Sequence, residues 1–374
     1  MMDFEAYRDE FPIFRSKSYL NTCSLGPLST RVQDAITRFT RDWNELGAHA
    51  WYERWMDAID ALAAKFAGLI GAAREEIALA PNVSSALSSV ASALSYGDRD
   101  RVVTTELDFP TIPYQWMVRP SVEVDLISSP DTVTMPTSAF EEAVSERTVA
   151  AATTHVFFAT GFIQNVAEIA RMAHRMGALC IVDGYHATGQ LPVDVPSLGV
   201  DVYISGSLKW LLGGPGLAFL YVRRDLLSQL TPTFTGWFGN TYQFEFDPRR
   251  FAFREDARRF EVGTPANAAV FAADAGLDII MEVGPRRIRE RTLALANDLI
   301  ERAEDAGLDV RAPPPRSRTG IVMIEHRDAP QAASHLVSQG TVVDSRGTRV
   351  RLSPYFYNTF EENERVIELL RATI

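Results

Sequence analysis

The chain has 374 residues, 46% hydrophobic and 23% charged, a composition that fits a globular protein with one large core and a smaller one. Lysine and arginine number 37 against 48 acidic residues, and the resulting charge of −11 disfavours nucleic acid or an anionic membrane as a main partner. Two cysteines, Cys23 and Cys180, are too few for a disulfide framework and fit a reducing cytosol, and no apolar run approaches the ~20 residues of a membrane helix.

The first residues, MMDFEAYRDEFPIF, are acidic and interrupted by Pro12, unlike a secretory leader, so a cytoplasmic location is expected. The six histidines are dispersed without metal-ligand spacing, so no metal centre is expected. Residues 19–29 read as a short strand and a Gly-Pro turn. From Arg31 to about Leu69, Trp43, Trp51, Trp55, Ile59, Leu62 and Phe66 recur at helical spacing and predict one long helix, most of whose aromatics pack inward. Glu76–Ala80 is strand-like, and Pro81-Asn82-Val83-Ser84-Ser85 opens a helix reaching about Leu94. Small polar residues there serve as an N-cap by default. The sharper reading is a phosphate cup, because free N–H groups and the positive helix end favour an anion.

Strand Arg101–Thr105 leads into Phe109-Pro110-Thr111, where Phe109 is placed either to stack on a planar ligand or to fill the core. Asp125–Ile127 reads as a strand, Thr137–Val144 as a helix, and Thr154–Phe158 as a strand ending at Thr160-Gly161. Helix Val166–Met176 ends at Gly177 and precedes strand Ala178–Val182. This β-α-β-α alternation predicts an α/β fold with a doubly wound, mostly parallel sheet, which binds ligands at the carboxyl ends of its strands. No GxGxxG follows the first strand, which argues against a dinucleotide site.

The stretch from Ile181 to Gly216 carries the densest chemistry. Asp183 ends an apolar strand, His186 follows it, and strand Asp201–Ser205 leads to Lys209 among apolar and glycine residues. An acid at one strand end and a lysine past the next is what pyridoxal 5'-phosphate (PLP) requires: the acid keeps the pyridine nitrogen protonated and the lysine forms a Schiff base. The plain alternatives are a capping aspartate, a packed histidine and a surface lysine. The apolar run Trp210-Leu211-Leu212 sets Lys209 apart from the last of these.

After strand Leu217–Val222, residues 231–265 are rich in aromatics, arginine and glycine. A helix is expected from Ala269 to about Ala306. Strand Gly320–Glu325, helix Ala329–Gln339, strand Thr348–Leu352 and helix Glu361–Thr373 then form a smaller α+β unit. The expected division is a large domain over 19–270 and a small one over 271–374 joined by 1–18.

With these residues assembled, the chain resembles the class V aminotransferase family of fold-type I PLP enzymes over about residues 19–370. It looks most like the kynureninase-like and isopenicillin N epimerase-like members, with cysteine desulfurase-like proteins in the same branch. The resemblance implies that Asp183 meets the pyridine nitrogen with His186 beside it, and that Lys209 is the Schiff-base residue, with Ser207 and Gly213–Gly216 shaping its loop. It also implies Ser84 and Ser85 at the phosphate and Phe109 stacked on the ring. Trp237 and Thr264 match positions that reach a phosphate in the neighbouring subunit, which implies a homodimer with shared sites. Arg351, before Ser353-Pro354, matches the arginine that grips the α-carboxylate of an amino-acid substrate, a role suited to a guanidinium fork.

On this resemblance Lys209 acts as general base at Cα, through a carbanion or quinonoid, with a lyase outcome favoured because Phe109-Pro110-Thr111 and Gly236-Trp237-Phe238-Gly239 look like the kynureninase branch. Transamination and epimerisation are the alternatives within the family, and a non-catalytic binding protein of the same fold the alternative outside it. Four positions depart from the family pattern. Tyr185 stands where alanine packs on the ring, Phe158 where asparagine donates to the ring oxygen, Leu208 where histidine or tyrosine precedes the lysine, and Ile112 where kynureninases carry aspartate. No cysteine follows Cys180, which argues against a persulfide mechanism.

Overall fold

The computed structural model describes residues 4–373, so the first three residues of the N-terminal segment, and Ile374, lie outside the described residues. The strands in chain order are β1 (Ser18–Tyr19), β2 (Ile77–Ala80), β3 (Arg101–Thr105), β4 (Glu123–Ile127), β5 (Thr148–Thr154) and β6 (Leu179–Asp183). They continue with β7 (Val202–Gly206), β8 (Ala218–Val222), β9 (Val322–Glu325), β10 (Thr341–Val342), β11 (Asp344–Arg346) and β12 (Arg349–Leu352). Seven of them form the central sheet in the order β2-β8-β7-β6-β5-β3-β4. From β7 to β4 all pairings are parallel, and β8 runs antiparallel to both of its neighbours. This is the expected α/β sheet.

Helices cover both faces, which is why β5, β7 and β8 are buried along their whole length and read as continuous runs without polar alternation. Successive residues of β7 and β8 alternate between two cores. Tyr203, Phe219 and Tyr221 pack with helices Met56–Ile70, Val166–Arg175 and Asn267–Val283. Val202, Ile204, Leu220 and Val222 pack with helices Val83–Ala93 and Thr111–Met117. A third core lies under the antiparallel sheet β11-β12-β9, where Val322, Ile324, Val350 and Leu352 meet Leu299, Leu336, Val366 and Leu370. The parallel pair β1–β10 ties the N-terminal segment to this C-terminal unit.

The structure departs from the expected elements in three places. The long helix from Arg31 is broken into Thr30–Leu46 and Met56–Ile70, separated by a 3-10 turn and a π-helical turn over Trp51–Trp55. Gly47 ends the first piece at a positive φ of 54°, and Trp43 is 60% exposed, so it does not pack inward. The helix expected from Ala269 is two helices, Asn267–Val283 and Pro285–Asp305. Gly284 turns between them at φ 90°, and Pro285 occupies the first helical position, where its missing N–H goes unneeded. The strand expected at Thr154–Phe158 ends at Thr154 instead, leaving Phe158 in the loop beyond it.

Candidate active site

The carboxyl ends of the parallel strands enclose a cavity of about 210 Å³. Each wall comes from a different strand end. The turn into helix Val83–Ala93 supplies Asn82, Val83 and Ser84, and the loop after β3 supplies Phe109 and Thr111. Thr154 and Phe158 come from the end of β5, Asp183, Tyr185 and His186 from β6, and Leu208 and Lys209 from the turn after β7. Six expected residues are thus assembled here or at its edge: Ser84, Ser85, Phe109, Asp183, His186 and Lys209.

The lysine turn is held rigidly by its own surroundings. Ser207 does not face the cavity: its hydroxyl donates to the Gly214 carbonyl at 2.7 Å, closing the glycine-rich loop. The Gly26 N–H donates to the Leu208 carbonyl at 2.9 Å, and the buried Tyr355 hydroxyl donates to the Trp210 carbonyl at 3.0 Å. Leu212 sits at a φ of 57°, a conformation a leucine keeps only where the surrounding structure imposes it.

Burial governs the charges of the three central groups. Burial pulls the Lys209 amine down to about 8, against smaller opposing pulls from Cys23 and Asp183. Burial likewise pushes the Asp183 carboxyl up to about 6, although the Tyr185 N–H donates to its Oδ1 at 2.8 Å. His186 is held well below its ordinary range by burial first and then by the nearby charges of Lys209, Arg351 and Arg346. Its Nε2 lies 2.9 Å from Lys209 Nζ, and its Nδ1 accepts from the Trp210 indole N–H at 3.1 Å. Among the described residues Lys209 has no ion-pair partner.

The unusual positions are accommodated in definite ways. The Tyr185 ring lies against Gly206 at the end of β7, where a Cβ would come within 2.4 Å of it, so a glycine makes room for the phenol. Lys209 Nζ stands 4.3 Å from the centroid of that ring. Phe158 meets Phe109 edge to face, centroids 5.2 Å apart. Ile112 is buried in the core beneath rather than lining the cavity. At the helix N-terminus, Asn82 caps through the Ser85 N–H at 2.8 Å and accepts from the Ser85 hydroxyl at 3.0 Å, while the Ser84 and Thr111 hydroxyls share a hydrogen bond of 2.9 Å.

Arg351 is 2% exposed and fully engaged on one side. Its Nε and Nη2 donate to Asp344 Oδ1 and Oδ2 at 2.9 and 2.7 Å, and Nη2 also donates to Ser24 Oγ at 2.6 Å. Its Nη1 donates to the carbonyl of the cavity residue Phe158 at 3.0 Å. Asp344 and Trp210 were not anticipated as site residues. For Asp344 the signal was a hairpin turning at Gly347, which sets Asp344 directly opposite Arg351. Trp237, 41% exposed, and the exposed Thr264 stand outside the cavity.

The chain belongs to the Aminotransferase class-V family, whose profile matches residues 19–366. It is 35% identical to the uncharacterized aminotransferase YcbU of Bacillus subtilis, over 98% of this chain and 97% of that protein. It is 28% identical to a kynureninase of Geobacillus thermodenitrificans, over 98% of this chain and 90% of that one. A C-DES mutant solved with glycine covalently linked to its PLP cofactor shares the fold, with a TM-score of 0.91 at 22% identity over 99% of both chains. The chain is therefore a PLP-dependent enzyme. Its cavity has a donor set that fits the cofactor: a helix N-terminus for a phosphate, a buried carboxyl at a strand end for a ring nitrogen, and a lysine without an ion-pair partner among the described residues for an aldehyde.

Proposed function

We propose that the enzyme acts on an α-amino acid by moving its Cα proton, with a lyase outcome in which a side-chain bond is broken. The observation that carries this reading is the meeting of Lys209, Asp183 and His186 in one cavity, with the lysine amine held near 8. Bound there, PLP supplies an aldehyde carbon for amines and a sink for electrons released at Cα. Ser84 and the first turn of its helix would hold the phosphate, Phe109 the ring face, Asp183 the ring nitrogen and Lys209 the aldehyde.

Each side chain has a defined task. Lys209 is close to half neutral at a pH near 8, so it can act as nucleophile and then take and return the Cα proton. Asp183 places a buried carboxyl where a protonated ring nitrogen would be stabilised. Arg351 would meet the substrate carboxylate through Nη1, which in the structure donates to the Phe158 carbonyl, since Asp344 holds the Nε and Nη2 side.

The lyase outcome is supported by Phe109-Pro110-Thr111 and Gly236-Trp237-Phe238-Gly239, and by the similarity to a kynureninase. Transamination is the second reading, favoured by the 35% identity to a protein named an aminotransferase. Incubation with a panel of amino acids separates them. A cleaved side-chain fragment or ammonia released over many turnovers supports the lyase. A stoichiometric keto acid formed together with pyridoxamine phosphate points to transamination, and solvent deuterium at Cα without net loss to epimerisation.

The reading includes a cytosolic homodimer with shared sites. Trp237, Phe244 and Phe246 form an exposed ring cluster, with Trp237 and Phe246 stacked at 6.2 Å, a surface suited to a second copy of the chain. Both cysteines are free and buried, which suits a reducing compartment. Light scattering is expected to give twice the chain mass of 41.5 kDa. A monomer that retains full activity would remove the shared site.

A further inference from the structure

We propose that Trp210 is a positioning residue whose indole N–H fixes His186 in the tautomer that presents Nε2–H to Lys209 Nζ, so that the lysine is held as the neutral amine, its lone pair accepting that N–H. An indole N–H only donates, and it lies 3.1 Å from His186 Nδ1, so Nδ1 must accept. A neutral imidazole carries one N–H, which then belongs to Nε2. That atom is 2.9 Å from Lys209 Nζ. An ammonium group has three donors and no acceptor, so a protonated lysine would face Nε2–H donor to donor. The contact is a hydrogen bond only when Lys209 is neutral.

The other assignments fail on the same geometry. An imidazolium would set a second N–H against the Trp210 indole, in a site where burial and the charges of Lys209, Arg351 and Arg346 already oppose protonation of His186. The opposite neutral tautomer would do likewise at Nδ1. Nor is Trp210 free to turn away. It is fully buried, its carbonyl accepts from the Tyr355 hydroxyl at 3.0 Å, and its ring meets that of Tyr355 edge to face at 5.1 Å. The orientation of a core tryptophan is thereby passed through one histidine to the reactive nitrogen.

The device also answers a departure in the sequence. Phe158 provides no side-chain donor to the cavity, and His186 Nε2–H provides one beside the lysine. That catalytic consequence rests on the reading of Lys209 given above, whereas the tautomer does not.

Two measurements on the full chain test the inference. In the wild-type protein with 15N-labelled histidine, long-range 1H–15N spectra are expected to show His186 protonated at Nε2 and bare at Nδ1. A proton on Nδ1 would overturn the proposal without any variant being made. The second measurement follows acetylation of Lys209 by acetic anhydride against pH, read by peptide mass spectrometry in the cofactor-free chain. The groups that face the amine are His186, Asp183, Tyr185, Cys23, Arg351 and Arg346, and all are unchanged in Trp210→Phe. The wild-type midpoint is expected near 8, and in Trp210→Phe it is expected to rise by about one pH unit, a tenfold fall in the neutral fraction below the midpoint. An unchanged midpoint in a variant with the wild-type circular dichroism spectrum overturns the proposal. A chain that shows this tautomer yet takes up no PLP would refute the proposed function and leave the inference standing.

Discussion

Arg351 and Lys209 are two buried basic side chains at one site, and their surroundings treat them in opposite ways. Arg351 lies against a carboxylate of its own chain, is bidentate with Asp344, and keeps its charge with every contact on that side satisfied. Lys209 has a histidine and two aromatic rings around its amine and no ion-pair partner among the described residues. Burial with a counter-ion fixes a charge as a structural or gripping element, whereas burial without one removes the charge and exposes a lone pair. In the proposed function, the difference between a guanidinium that holds and an amine that reacts is set less by the residue than by where the nearest carboxylate stands.

Removing the carboxyl near the lysine is expected to have the largest effect. Asp183→Asn should lower kcat by about 10²-fold or more, because in the proposed function Asp183 is the buried acid at the ring nitrogen. The same variant has a signature in the cofactor-free chain. The folded value of Asp183, about 6, lies above its ordinary 3.8, so its contribution to stability is complete below 3.8 and lost as pH rises through about 6. The urea midpoint of the wild type, measured relative to that of the variant, should fall over this window. A difference that stays flat from pH 4 to 7 would place the carboxyl in water.

Removing the carboxylate from the arginine tests the other half of the comparison. Asp344→Asn leaves a guanidinium that is 2% exposed without its counter-ion and is expected to cost about 3 kcal/mol of stability. Here the pH dependence is reversed. Asp344 is held below the usual carboxylate range, with burial opposing and Arg351 prevailing, so the stability it contributes is present above the ordinary carboxylate value and lost as pH falls below it. Chemical denaturation at neutral and acid pH gives both numbers, and equal stability of wild type and variant at neutral pH would show that the pair does not hold Arg351.

The smallest expected effect concerns the ring beside the lysine. Gly206→Ala is expected to cost about 2 kcal/mol, because the new Cβ overlaps the Tyr185 ring. In a Tyr185→Leu background the same change should cost markedly less, and strict additivity would mean that the two residues do not share the space.

Much of this site was legible because its chemistry depends on residue type at strand ends. Asp183, His186 and Lys209 declare themselves as an acid, a histidine and a lysine beside apolar runs, and the alternation of elements sets them at one sheet edge. Trp210 was not legible as a donor. In Trp210-Leu211-Leu212 it reads as packing, and the direction of its N–H depends on tertiary geometry. Asp344 required the register of a two-strand hairpin, which spacing alone leaves open. The helix break at Gly284-Pro285 carried its signal in plain view and was outweighed by the regular spacing on either side. Strand Thr148–Thr154, with the sequence TVAAATT, is rich in alanine, which has no strand preference of its own, so its place in the sheet is decided by burial on both faces.

The central claim is that Lys209 is the residue to which PLP attaches. The direct measurement is to load the purified chain with PLP, reduce it with borohydride, and map the modified peptide by mass spectrometry. A visible absorption band that disappears on reduction and a single pyridoxyl label on Lys209, absent in Lys209→Ala, are expected. A label on a different lysine with Lys209 unmodified, or no label after full loading, would contradict it.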